Sequence, residues 1–107
     1  MIKLPKLSYL TRESNREGTY FLKLDLPEGV PFNMAKFVVK PKKTSIVDQH
    51  EVKEIWYIAS GEAIFTHNGR DYYIKSGDYY FIDSNETHQV HNNSSTEDLV
   101  IHSLWWL

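Results

Sequence analysis

The sequence predicts an all-β fold that closes into a small barrel, and three observations support this prediction. From Thr19 onward, short runs rich in β-branched and aromatic residues alternate with turn-forming residues, at a spacing of about 8–12 positions. No long stretch has the 3.6-residue period of an amphipathic helix. The chain has 107 residues, enough for one domain. Many short strands in one small domain would leave unpaired edges unless the sheet closed on itself.

The first predicted strands alternate between apolar and polar residues, as strands with one buried face do. In residues 19–26, Leu22 and Leu24 share one face and Lys23 lies on the other, and the proline- and glycine-containing residues 27–31 end the strand. Further strands are predicted at 34–40, 54–60, 63–67, 70–74, 79–82, 87–92 and 99–106. We interpret residues 1–107 as a single domain in which 1–18 form an N-terminal arm, with at best a helical turn at 8–17.

The strongest hairpin signal lies between the predicted strands 63–67 and 70–74, which flank Asn68 and Gly69. Asn-Gly is the pair favoured in a type I′ turn, because both central residues of that turn need a positive φ. The sequence therefore predicts a two-residue hairpin at this position.

Composition excludes several classes of function. The formal net charge is −2 and acidic and basic residues are interleaved, so there is no basic surface for nucleic acid and no polybasic run for a membrane surface. Cysteine is absent, which excludes disulfides, a thiolate nucleophile and a sulfur-rich zinc site. The N-terminal residues lack the apolar stretch of a secretory signal. We expect a cytoplasmic protein.

Histidine and carboxylate residues with metal-ligand character cluster in two places. Asp48, His50 and Glu54 lie within seven residues, and His88 follows a later turn. Asp48 and His50 are two apart, so on an extended chain their side chains point to the same face. Imidazole and carboxylate together suit a divalent first-row transition metal. On spacing alone the alternative is that these residues are simply solvated near turns.

Two stretches of the chain resemble the two sequence motifs of the cupin superfamily. Residues 48–61, DQHEVKEIWYIASG, are similar to the first motif, in which a ligand, one spacer and a His precede three spacers and a Glu, then six spacers and a Gly. Residues 77–92, GDYYFIDSNETHQVHN, are similar to the second motif, which ends in His, three spacers and Asn. The spacings match without a gap, and the resemblance spans roughly residues 34–103.

This resemblance implies a single-domain cupin of the cupin-2 type, that is, a double-stranded β-helix or jelly-roll barrel. It also implies one divalent transition metal, such as Fe, Mn, Zn or Ni, held by His50, Glu54 and His88. The chain departs from the motif at Asp48, where cupins usually have their first histidine. Asp83 and Asn85 replace a proline and a glycine in the second motif, which are mild changes because Asp and Asn both favour turns.

We also make predictions for three tryptophans and one further histidine. Trp56 shares a strand face with Glu54, so we expect it to line the interior near the metal, as core or as a platform for substrate. His102 lies in the last predicted strand, either as a second pocket residue or as a hydrogen-bonded core histidine. Trp105 and Trp106 are adjacent and cannot both face inward, so we expect a partner subunit to cover one of them in a homodimer.

The resemblance leaves two classes of function open. The first is a small metal-dependent enzyme acting on an oxygen-rich substrate such as a sugar acid, keto acid or enediol, by isomerase, epimerase, lyase or dioxygenase chemistry. In that enzyme Asp48 is either a fourth ligand, which we favour, or a general base. The second is a non-catalytic module that binds or senses a small molecule.

Overall fold

The protein is described by a computed structural model that covers residues 6–107. Nine strands make up the fold: β1 (Tyr9–Arg16), β2 (Thr19–Leu24), β3 (Asn33–Val39), β4 (Lys53–Ser60), β5 (Glu62–His67), β6 (Arg70–Lys75), β7 (Tyr79–Ile82), β8 (His88–His91) and β9 (Leu99–Trp106). The described residues contain no helix, which confirms the predicted all-β class. None of them therefore forms a helix long and apolar enough to cross a membrane.

The helical turn expected at residues 8–17 is wrong. These residues form β1, which pairs antiparallel with β2 at the edge of a sheet. All eight residues of β1 are exposed, so the strand has no buried face to impose the alternation that identifies strands in a sequence. Backbone hydrogen bonding to β2 stabilises the strand instead, which is a tertiary effect that local propensity does not report.

The strands form two antiparallel sheets whose inner faces enclose the core. The larger sheet has the order β1-β2-β3-β9-β4-β7 and the smaller has the order β6-β5-β8. The main core cluster consists of buried aliphatic and aromatic side chains from both sheets: Val39, Trp56, Ile58, Ala63, Phe65, Ile74, Ile82, Val90, Leu99 and Ile101. This arrangement is the jelly-roll barrel that the two motifs imply.

Two turns have the conformation that the sequence predicts. Asn68 and Gly69 have φ of 50° and 80° in the β5–β6 hairpin, the positive values that a type I′ turn requires. Asn85, which stands at a glycine position of the second motif, has φ of 62°. Asn tolerates this left-handed conformation better than most residues, so the substitution leaves the turn intact.

Alternation along β4 and β9 determines which side chains enter the barrel. Glu54, Trp56 and Ile58 are buried on the inner face of β4. Ser103 is buried on the inner face of β9, where its register partner is Trp56. On the opposite sheet His88 begins β8 and is buried as well. A polar cluster from both sheets therefore meets at one end of an apolar core.

Candidate metal centre

The structure brings His88 together with His50 and Glu54, although His88 lies more than 30 residues further along the chain. The Nε2 atom of His50 lies 3.2 Å from Glu54 Oε1, and the Nε2 atom of His88 lies 3.6 Å from the same oxygen. The two imidazole rings are 4.9 Å apart between centroids. Ligands around one ion with bonds of about 2.1 Å are separated by roughly 3–4.2 Å, so these separations fit a shared ion.

Backbone carbonyl groups orient both imidazoles. His50 Nδ1 lies 3.0 Å from the Val52 carbonyl oxygen, and His88 Nδ1 lies 3.2 Å from the Glu86 carbonyl oxygen. A carbonyl oxygen only accepts hydrogen bonds, so each Nδ1 carries the proton. In the neutral ring Nε2 then presents its lone pair toward Glu54. Metal-ligating histidines are commonly fixed in this way by a partner of the other ring nitrogen.

Glu54 supplies the strongest indication that a cation belongs here. Its side chain is buried, with the residue 7% exposed. Ser103 Oγ donates a hydrogen bond to Glu54 Oε2, whereas the buried Oε1 receives no hydrogen bond. This carboxylate oxygen lies 3.2 and 3.6 Å from two imidazole nitrogens without a hydrogen-bond partner of its own, and a buried charge left in this state is costly. A divalent ion held by His50, Glu54 and His88 would remove that cost.

Asp48 lies beside this trio on an exposed segment. The backbone N–H groups of Asp48 and His88 each donate to the carbonyl oxygen of the other residue, over 2.9 and 3.0 Å. The two residues are therefore direct neighbours. One ligand-type atom from each of Asp48, His50 and His88 lies within 4.8 Å of the others. One oxygen of the Asp48 carboxylate accepts a hydrogen bond from Gln49 N. The Asp48 carboxylate is therefore close enough to act as a further ligand, and its exposed position also allows it to remain solvated.

The turn formed by residues 83–87 supports both histidines, and sequence reasoning gave it no such role. Asn85 N donates to the His50 carbonyl oxygen over 2.7 Å, and the Glu86 carbonyl holds His88. The Glu86 carboxylate in turn accepts from Asp83 N over 2.6 Å and from Asn68 Nδ2 over 2.8 Å. The hydrogen bond from Asp83 N is the main cause that lowers the pKa of Glu86 below its usual 4.5.

Asp83 is held as well, at the exposed start of this turn. Lys53 Nζ donates to the Asp83 carboxylate over 2.6 Å, and this contact is the main cause that lowers the Asp83 pKa. Neither Ser103 nor Glu86 was singled out by sequence reasoning. Ser103 could have been found from strand parity, because it is two residues from the core residue Ile101 on β9. Glu86 carries no comparable signal.

A cavity of about 230 Å³ opens beside these residues. Its lining combines the polar residues Glu13, Asn15, Ser45, Asp48, Glu54, His88 and Ser103 with the apolar residues Phe21, Phe37, Ile46 and Trp56. Trp56 meets the His88 ring edge-on, with 5.6 Å between centroids. Its position beside His88 agrees with the expectation from strand parity.

His102 does not line this cavity. It follows Ile101 and precedes Ser103, which both point inward, so its side chain lies on the outer face of the sheet, where it stacks on Tyr57 with 6.3 Å between centroids. Side chains along β9 alternate between the two faces of the sheet, and the sequence did not show on which face His102 falls. The alternation observed in the structure explains its placement. Trp105 and Trp106 are each partly buried within the chain, against Phe21 and Phe81 respectively.

Comparison with known proteins gives this arrangement a family context. A family model described as "Cupin domain" matches residues 35–106. An oxalate-binding protein of Thermotoga maritima is 39% identical over 64 residues, which are 59% of this chain and 53% of that protein. The chain thus spans about half the length of this relative.

Solved structures agree in fold over nearly the whole chain. A predicted oxalate decarboxylase of Thermotoga maritima is 30% identical with a TM-score of 0.74, over 91% of this chain and 90% of the other. The plu4264 protein of Photorhabdus luminescens is 27% identical with a TM-score of 0.80, over 100% and 89% of the two chains. The polyketide cyclase RemF of Streptomyces resistomycificus shares the fold at 23% identity, with a TM-score of 0.75 over 98% and 79%. With the family match covering most of its length, the chain belongs to the cupin family.

Proposed function

We propose that this cupin is a metal-dependent enzyme acting on a small oxygen-rich substrate. The observation that carries the proposal is the convergence of two histidine Nε2 atoms on a buried carboxylate oxygen that receives no hydrogen bond. Beside these atoms lies a cavity large enough for a small molecule. Because the site is both metal-competent and open to a ligand, chemistry on a bound substrate is feasible there.

His50, Glu54 and His88 would hold one divalent ion, for which Fe, Mn, Zn and Ni are the candidates. When bound, the ion supplies Lewis-acid activation of a substrate carbonyl or, if it is iron, an oxygen-binding centre. Ser103 fixes the Glu54 carboxylate through its hydrogen bond to Oε2. Trp56 covers one side of the site beside His88 and lines the cavity. The reaction types that fit are isomerisation, epimerisation, elimination by a lyase and dioxygenation.

Asp48 has two possible roles, and we favour ligation. Its place in the first motif is that of a histidine ligand, and its backbone is hydrogen-bonded directly to His88. As a ligand it would add a second negative charge and favour a harder ion. As a free group it would stand at the cavity wall, where its carboxylate could take a proton from the carbon next to a bound carbonyl.

A second candidate function is a binding module without catalysis. The observation that favours it is the name of the Thermotoga maritima relative, an oxalate-binding protein. The same residues would then present a metal and a cavity to a small ligand, with no proton transfer. A cytoplasmic location, a single domain over 1–107 and a homodimeric state complete this proposal as predictions from the sequence.

The proposal is tested by metal analysis of protein purified without a histidine tag or nickel resin, followed by NMR in D₂O with small hydroxyketones and keto acids. We expect about one ion per chain. We also expect deuterium incorporation next to the carbonyl at a rate above that of metal-stripped protein. Ligand binding with no exchange and no turnover would favour the binding module. An ion-free protein that does not take up Fe, Mn, Zn or Ni would contradict both functions.

Asp48→Ala separates the two roles of Asp48, with Glu51→Ala, an exposed carboxylate of the same loop, as the matched control. If Asp48 is a ligand, Asp48→Ala loses metal and Glu51→Ala keeps it. Full metal occupancy with loss of deuterium exchange would instead make Asp48 the base. Unchanged metal and exchange would leave Asp48 a solvated turn residue.

A further inference from the structure

The charges around the cavity discriminate among the substrates that the proposed function leaves open. Three carboxylates line the cavity, from Glu13, Asp48 and Glu54, and no lysine or arginine is among the described lining residues. Glu13 comes from the exposed edge strand β1, at the rim. Both site histidines are neutral when their Nε2 atoms ligate a metal. Anionic groups thus have no side-chain counterion within the cavity.

A divalent ion in this site would be balanced by Glu54 and Asp48, and Glu13 adds a third carboxylate to the lining. Arg16 donates a hydrogen bond to the Ser45 carbonyl oxygen over 3.3 Å but is not part of the lining. A ligand that brings two further negative charges would meet repulsion from these carboxylates, and no lysine or arginine of the described lining would offset it. Lys23 shares the inward face of β2 with Phe21, but it does not contribute to the lining. An uncharged ligand avoids this penalty and can still offer two oxygens to the ion.

Aromatic side chains form another part of the lining. Phe21, Phe37 and Trp56 form a continuous aromatic wall, with centroid distances of 6.5 Å between Phe21 and Phe37 and 6.5 Å between Phe37 and Trp56. The cavity volume of about 230 Å³ exceeds the roughly 150 Å³ that accommodates benzene in an apolar protein cavity. The part of the ligand that points away from the metal therefore meets aromatic surface.

We propose that the ligand is an uncharged α-hydroxyketone with an apolar or aromatic substituent, and that the site disfavours dicarboxylates such as oxalate. This inference rests on the proposed metal centre and narrows its substrate class. Asp48 brings a negative charge to the position at which the first cupin motif usually has a neutral histidine.

The test is calorimetric titration of the Mn²⁺-loaded protein with three probes at neutral pH: 2-hydroxyacetophenone, which is uncharged, phenylglyoxylate, its monoanionic counterpart of similar size, and oxalate. We expect affinity to fall in that order. Tighter binding of phenylglyoxylate or oxalate than of 2-hydroxyacetophenone would overturn the inference while leaving the metal centre intact. Protein that binds none of Mn²⁺, Fe²⁺, Zn²⁺ and Ni²⁺ would defeat the proposed function and this inference together.

Charge-removing variants give a second readout that does not depend on the absolute affinities. Glu13 lies at the rim, so Glu13→Gln removes a negative charge that acts on the ligand through solvent. Because this Coulomb interaction is screened, the affinity for phenylglyoxylate relative to 2-hydroxyacetophenone should rise only about 2- to 5-fold. Asp48→His should raise it more, about tenfold or above, with Mn²⁺ content measured in parallel. Glu62→Gln, an exposed carboxylate on β5, is the control. Equal affinity ratios in all variants, or anion binding that depends on Lys23 in Lys23→Gln, would contradict the inference.

Discussion

The two walls of the cavity are built in opposite ways. One, which we call the ligand wall, consists of Glu54, Ser103 and His88, and it is supported by the turn 83–87, whose Glu86 carbonyl holds His88. The first three are buried, and the turn is fixed by hydrogen bonds to Glu86 and Asp83. The other, the rim wall, consists of β1 and residues 45–48. All of β1 is exposed, and Asp48 is exposed as well.

This difference separates two tasks. Preorganised ligands require side chains whose orientation is fixed before an ion arrives, and only the ligand wall has them. Discrimination between small molecules can be performed by an exposed charge at the rim such as Glu13, which alters the potential without being part of the coordination shell. The ligand wall should therefore tolerate few substitutions, whereas the rim wall should change selectivity with little loss of stability.

The largest effect should come from the ligand wall itself. His88→Ala removes a proposed ligand and should weaken binding of Mn²⁺ or Zn²⁺ by more than about 100-fold, because loss of even an outer-shell partner costs roughly 10- to 100-fold. His91→Ala is the control, since His91 is three residues away and its Nδ1 is bonded to Thr44 Oγ1 at 2.7 Å. Calorimetric metal titration, with circular dichroism to verify folding, measures both. Equal affinities in the two variants would remove His88 from the site.

Ser103→Ala should have a smaller effect on the same quantity. It removes the hydrogen bond to Glu54 Oε2 while leaving every proposed ligand in place, and metal affinity should fall about 10- to 100-fold. His102→Gln, a change to the adjacent residue on the outer face of β9, should leave the affinity unaltered. If the two variants bind metal alike, Ser103 is a core residue without influence on Glu54.

A further test concerns the turn 83–87. The pKa of Glu86 is lowered in the folded protein, chiefly by the hydrogen bond from Asp83 N. A carboxylate with a lowered pKa stabilises the fold above its usual pKa of 4.5, and this contribution is lost as the pH falls through the lower, folded value. His67, whose Nε2 is 3.1 Å from Glu86 Oε1, and Asp83 share this environment.

Glu86→Gln should consequently lower the melting temperature at pH 7 by about 2–5 °C, and the difference from the unmodified protein should shrink as the pH falls below 4.5. Thermal unfolding monitored by circular dichroism from pH 7 to pH 3 measures it, with Glu62→Gln as the control. A difference that stays constant with pH would show that the Glu86 charge does not hold the turn.

The smallest expected effect on the cavity concerns the outer face of the large sheet. Phe81 and Tyr79 on β7 are 51% and 71% exposed, and Ile55 beside Phe81 on β4 is 37% exposed. Exposed apolar surface of this kind is typical of an interface, so we expect a homodimer that buries it. Light scattering should give twice the chain mass, and Phe81→Glu should give the monomer with metal affinity unchanged. A monomer at high micromolar concentration would disprove the prediction.

Sequence reasoning succeeded where periodicity and spacing carry the information. Alternation in β4 placed Glu54 and Trp56 on one inner face, and Asn68-Gly69 predicted its turn, because in both cases a local rule determines the geometry. It failed for β1, whose exposed residues show no alternation. It also missed Ser103 and Glu86, because their contacts join residues that are 49 and 18 positions apart in sequence. Such pairings depend on the register between strands rather than on any local pattern.

Glu54 on β4 and His88 on β8 are proposed ligands of the same ion. This proposal has a consequence for the stability of the whole barrel. Glu54 belongs to the six-stranded sheet and His88 to the three-stranded one, so an ion bound to both would be a covalent-like cross-link between the sheets of a chain that has no cysteine. Amide hydrogens of β4 and β8 would then exchange through a common opening event that slows as metal concentration rises. The stability of the barrel would then rise with metal concentration, as the stability of a secreted domain rises when its disulfides form.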